Sequence, residues 1–124
     1  MLYNNFTGRA DCPQKLKRGI HYIQKNYERD DLSLEDISSF LGIRRESFCR
    51  LWKKYMDVRI TDFINSLRIE KAKKLLSNDC SYISQVAYRV GLTPKYFSTL
   101  FRKREGCTPR EYKEGNSGKV NILE

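Results

Sequence analysis

The sequence predicts an all-α protein of about seven helices, arranged as two helix-turn-helix units joined by a linker helix. Apolar residues recur at spacings of three and four along most of the chain, the period of one helical face. Glycines and Ser/Thr caps punctuate these runs at places where helices end and begin. One such punctuation occurs twice. Gly42, Phe48, Leu51, Trp52 and Lys54 are answered 49 residues later by Gly91, Phe97, Leu100, Phe101 and Lys103, with Ile37 and Leu41 answered by Val86 and Val90.

Residues 1–12 lack the apolar core of a signal peptide and read as a flexible arm. Leu16, Ile20, Ile23 and Tyr27 then mark a helix from Pro13 to about Tyr27, with His21 as a surface residue. In the first unit, Leu34, Ile37, Phe40 and Leu41 form an apolar stripe that stops at Gly42, a residue free to take the left-handed conformation that ends a helix. Ser33 with Asp36 predicts a capping box at its start. The following helix places Phe48, Leu51, Trp52 and Tyr55 inward and Arg45, Glu46, Cys49, Arg50 and Lys53 outward.

A longer helix is expected from roughly Thr61 to Leu76, with Phe63, Ile64, Leu67, Ala72, Leu75 and Leu76 on one side and Arg68, Glu70, Lys71, Lys73 and Lys74 largely on the other. Sixteen residues at 1.5 Å each span about 24 Å. With the widths of the units added, such a connector suits the offset of about 34 Å between successive major grooves on one side of a duplex. The second unit repeats the first. Ile83, Val86, Ala87 and Val90 lead to Gly91, then Phe97, Leu100 and Phe101 turn inward while Lys95, Ser98, Thr99 and Arg102 turn outward. Thr93 precedes Pro94, and Thr108 precedes Pro109 with Glu111 in the third helical position, both signs of helix starts. The expected segments are therefore 13–60 and 78–113 for the two units and 61–77 for the linker, between a flexible arm (1–12) and a flexible tail (114–124).

Composition narrows the function. Lys and Arg number 24 against 15 acidic residues, a net charge of +9, which favours phosphate-bearing or other anionic partners. The longest apolar runs fall far short of the roughly 20 residues that cross a bilayer, so the expectation is a cytosolic protein with no membrane contact. Cys12, Cys49, Cys80 and Cys107 form no C-x-x-C pair and His21 is the only histidine, so neither a metal site nor a disulfide framework is encoded, and the cysteines read as free thiols. No Gly-rich phosphate loop, G-x-S-x-G turn or Cys/Ser with a histidine partner is present, so the chain is not expected to be an enzyme or to need a cofactor.

These residues resemble the DNA-binding region of the AraC/XylS class of bacterial transcriptional regulators, including its short MarA, SoxS and Rob type. The resemblance runs from about Pro13 to Lys113. It is carried by LEDISSFLG (34–42), FCRLWKK (48–54), LRIEKAKKLL (67–76), ISQVAYRVG (83–91) and FSTLFRKREGCTPREY (97–112). The chain departs from the family pattern at Leu92, where an aromatic is usual, at Arg59, where a small capping residue is usual, and between Gly91 and Phe97, where the family usually has one residue more.

The resemblance implies seven helices and binding to double-stranded promoter DNA, usually with activation of transcription through RNA polymerase; the tandem repeat with non-identical faces itself points to binding as a monomer through this region. It also implies base contacts from the second helix of each unit: Arg45, Glu46, Cys49 and Arg50 in the first, Lys95, Ser98 and Thr99 in the second. Arg50 can make a bidentate contact to guanine and Glu46 can accept from a cytosine amine. Arg44, Lys53, Lys54, Arg102, Lys103 and Arg104 are the candidates for phosphate contacts. The competing reading is a basic helical module that binds an acidic protein without reading DNA; it leaves the equivalent polar positions of the two units unexplained.

Overall fold

The computed structural model describes residues 13–78 and 82–115, so the expected arm (1–12), Cys12, Cys80 and residues 116–124 of the tail lie outside the described residues. The described residues hold seven helices and no strand: α1 (Gln14–Asn26), α2 (Leu34–Leu41), α3 (Arg45–Tyr55), α4 (Ile60–Asn78), α5 (Ile83–Arg89), α6 (Pro94–Glu105) and α7 (Pro109–Gly115). Among them, no helix is long and apolar enough to cross a membrane. The chain divides between Leu67 and Arg68, within α4, into two compact units with separate cores.

In the first unit, Leu16, Ile20 and Ile23 of α1 pack with Ile37 and Leu41 of α2, Phe48 and Trp52 of α3, Met56, and Phe63 and Leu67 of α4. Trp52 organises the lower part of this core. Its ring lies 6.0 Å from Phe48 and 5.3 Å edge-on from Phe63, and its indole N–H donates to the Val58 carbonyl at 2.7 Å, so the polar end of a buried side chain is satisfied. Gly19 lets α1 approach α3: a Cβ at that position would stand 2.7 Å from Cε1 of Phe48 and 3.3 Å from Cδ1 of Leu41.

The second unit packs Ile69, Ala72 and Leu76 of α4 with Val86 and Ala87 of α5, Val90, Leu92, and Phe97, Leu100 and Phe101 of α6. Tyr112 of α7 meets Phe101 edge-on at 5.5 Å. Leu92 is buried, so an aliphatic side chain closes the core at that place. Lys73 of α4 bridges Glu70 and Glu105, each at 3.3 Å. Burial opposes its charge, but Glu105 and then Glu70 outweigh that effect and hold the ammonium above the ordinary lysine value.

The apolar pattern differs from the expectation in α4 and at Phe40. The apolar residues of α4 do not form one stripe. At 3.6 residues per turn, Phe63 and Leu67 stand roughly half a turn around the helix from Ile69, Ala72 and Leu76; the first pair belongs to one core and the second set to the other. Ile69, which the single stripe did not include, belongs to the second core, and Asn65 is buried as well. Phe40 is the second difference. It is 50% exposed, because Ile37 and Leu41 already fill the core-facing side of α2.

Gly19→Ala tests the close approach of α1 and α3. In an open helix interior the change would add roughly 0.5–1 kcal/mol of stability. Here the clash with Phe48 should reverse the sign and destabilise the protein by about 1–3 kcal/mol, seen as a lowered midpoint in urea denaturation; a raised midpoint would mean that the helices do not meet at Gly19.

Candidate nucleic-acid interface

The 49-residue repeat extends to the backbone hydrogen bonds. At the start of the first helix of each unit, the Ile37 N–H donates to Ser33 O (3.2 Å) and the Val86 N–H to Tyr82 O (3.1 Å). Asp36 Oδ2 accepts from the Ser33 N–H, and Gln85 Oε1 accepts from the Tyr82 N–H, both at 3.2 Å. Ser33 Oγ also accepts from the Asp36 N–H (3.1 Å), completing the expected capping box.

At the turn, Gly42 and Gly91 take φ of 72° and 89°. Their N–H groups donate to Ser39 O and Tyr88 O, both at 3.1 Å. The next residues close the longer bond of a left-handed helix stop, from the Ile43 N–H to Ser38 O (3.1 Å) and from the Leu92 N–H to Ala87 O (2.9 Å). The second helix then opens at the same step in both units, with the Phe48 N–H on Arg44 O (3.0 Å) and the Phe97 N–H on Thr93 O (2.8 Å). Arg45 and Pro94 are thus equivalent first residues. The N-caps differ: Arg44 provides no side-chain cap, whereas Thr93 Oγ1 accepts from the Tyr96 N–H at 3.3 Å.

With Phe48 and Trp52 buried, α3 exposes Arg45, Glu46, Arg50, Lys53 and Lys54, beside Arg44 at its start. Cys49 lies on the same side but is partly buried. Arg45 is drawn to one flank by Glu35 of α2, its Nε 3.4 Å from Oε2. Glu35 has no periodicity signal; its role appears only once the turn brings α2 against α3. Lys54 Nζ lies 5.5 Å from the Tyr55 ring.

On α6, Lys95, Ser98, Thr99 and Arg102 share the exposed side and Lys103 flanks it. The Thr99 hydroxyl donates to Lys95 O at 3.2 Å, so it faces outward mainly as an acceptor. Arg104 is set apart. It is exposed, but it stands roughly half a turn around α6 from Lys95, at the position equivalent to the core-packed Tyr55.

The sequence profile of the helix-turn-helix domain family matches residues 37–115, and the solved structures that share the fold include AraC-type domains. The chain belongs to the AraC-type helix-turn-helix family. It is similar to the regulatory protein PocR of Salmonella typhimurium, with 31% identity over 113 residues, covering 89% of this chain and 37% of PocR. Among solved structures it is similar to the C-terminal domain of AraT, a response regulator from Geobacillus stearothermophilus, with a TM-score of 0.81 and 29% identity over 93% of this chain and 94% of that one. It is also similar to a transcriptional regulator with an AraC-type DNA-binding domain from Chromobacterium violaceum, with a TM-score of 0.73 and 28% identity over 83% of this chain and 92% of that one. The AraC-type chain spans only part of the length of the curated relatives it matches, 37% in the case of PocR and 34% in the case of YisR of Bacillus subtilis.

The turn gives a stability test. A Cβ at Gly42 would meet nothing within 4 Å, so the only obstacle to a side chain there is its φ of 72°. Gly42→Ala should cost about 1–2 kcal/mol, measured by urea denaturation, whereas Gly42→Asn should recover part of the loss because Asn tolerates this conformation. Equal losses in both variants would show that something other than backbone conformation demands glycine.

Proposed function

We propose that this chain is the DNA-binding part of a bacterial transcription regulator, with α3 and α6 inserted as recognition helices into two successive major grooves of promoter DNA. The observation that carries the proposal is the equivalence of the two turns: each starts its second helix at the same step and presents a cation-rich polar face from it. Arg50 is suited to bidentate contact with guanine and Glu46 to accepting from a cytosine amine. Ser98 and Thr99 provide smaller groups on α6, of which Thr99 acts as an acceptor. Arg44, Lys53, Lys54, Arg102 and Lys103 surround these positions and are assigned to phosphates; Arg104 contributes from its own side of α6. The unlike faces, Glu46 against Lys95 and Arg50 against Thr99, call for an asymmetric site of about 20 base pairs bound by a monomer. The regulator acts in the cytoplasm, activates through RNA polymerase, and has no catalytic activity of its own in this chain. A basic interaction module with no DNA read-out leaves the matched starts of α3 and α6 without a purpose.

Duplexes selected from a random pool test this directly. Arg50→Ala should cost about 1–3 kcal/mol of binding and relax the preference at one position, while Lys54→Ala should weaken all sequences alike. With about six phosphate contacts, affinity should fall by roughly 10³-fold between 50 and 200 mM salt. A flat salt dependence would remove DNA as the partner, and sequence-independent losses in both variants would reduce Arg50 to a phosphate contact.

A further inference from the structure

The first unit carries a second surface that DNA reading leaves unused. The exposed Phe40 of α2 is stacked against Tyr22 of α1, with ring centroids 4.5 Å apart and planes at 29°. The Arg18 guanidinium lies 5.3 Å from the Phe40 centroid. Beside them runs a groove lined by Gln14, Lys17, Arg18, His21 and Phe40, with no carboxylate among the described residues that line it. The helix that forms its wall, α1, carries Lys15, Lys17, Arg18 and Lys25 and contains no Asp or Glu.

A single exposed phenylalanine is an ordinary surface feature. This one is held between a tyrosine and an arginine, so its orientation is fixed before anything binds and little side-chain freedom is left to lose. The groove also lies away from the reading face. Phe40 and Glu35 stand about 140° apart around α2; Arg45 of α3 reaches Glu35 on one flank, and Tyr22 of α1 covers Phe40 on the other.

We propose that this groove docks an acidic protein segment, which sets an aromatic or aliphatic side chain against Phe40 and its carboxylates over Lys17 and Arg18. Charge complementarity selects the acidic partner. The fixed aromatic anchor selects protein over a further stretch of duplex, because a duplex displays charged phosphates and stacked bases rather than a protruding apolar side chain to set against Phe40.

The probe is a short synthetic peptide of Asp and Glu residues around a central Phe-Leu pair, titrated into the ¹⁵N-labelled full chain. One control replaces Phe-Leu with Ser-Ser, and a second replaces every carboxylate with its amide. The acidic peptide should bind saturably, with amide shifts concentrated from Gln14 to Tyr22 and from Ser39 to Leu41, and both controls should bind weakly. Phe40→Ser should weaken the peptide by about tenfold. Arg18→Gln, a change on an exposed side chain that keeps the test open if Phe40→Ser unfolds, should weaken it by about fivefold. DNA affinity should stay within about twofold in both variants. Shifts centred on α3 or α6 would overturn the proposal by showing that the peptide only mimics DNA. Parallel losses of peptide and DNA binding in Arg18→Gln would assign the cations to phosphates instead, and equal binding of the Ser-Ser peptide, or no saturable binding, would remove the docking site.

Discussion

The left-handed turn at Gly42, repeated at Gly91, is the constraint from which the rest of each unit follows. Its bonds back to residues 38 and 39, and to 87 and 88, end the first helix and release the chain so that the second helix begins three residues after the glycine. Once that start is set, 3.6 residues per turn decides which side chains face outward. Glu46 and Arg50 in one unit, and Lys95 and Thr99 in the other, are exposed for this reason.

The cores hold those helices in place. Phe48 and Phe97, one turn into α3 and α6, are fully buried and occupy matching positions in the two cores. Phe48 is seated by the close approach of α1 at Gly19. In the second unit the C-terminal turn of α6 is tied to α4 through Glu105 and Lys73 and backed by Tyr112 on Phe101. Near Glu105, burial and then the charges of Glu111 and Glu105 push the Cys107 thiol above the ordinary cysteine value, which disfavours its thiolate. The same packing that leaves α3 and α6 exposed on one side buries the side that would otherwise drive aggregation.

Helix starts and the repeat were legible in the sequence because they depend on residues within a few positions of one another. Ser33 with Asp36 and Thr108 with Glu111 form the reciprocal bonds that their spacing predicts. Features that need two elements were not legible. Gly19 reads as a weak point in a helix until Phe48 is placed against it, Glu35 reads as an ordinary first-turn acid until Arg45 arrives, and Trp52 shows its apolar ring but not its bond to Val58. Periodicity also averages over a helix. It merged the two apolar faces of α4 into one and assigned Phe40 to the core on spacing alone. Conversely, Arg104 looked like one more basic residue beside Arg102 and Lys103, and only its place around α6 separates it from them.

The central claim is that two equivalent turn-and-helix units read one duplex. Hydroxyl-radical footprinting of the chain on a selected duplex tests it most directly. Two protected patches on the same side of the duplex, centred about 10 base pairs apart, are the predicted result. A single patch the width of one major groove would contradict it, and so would two patches on opposite sides, since either outcome would mean that α3 and α6 do not engage successive grooves together.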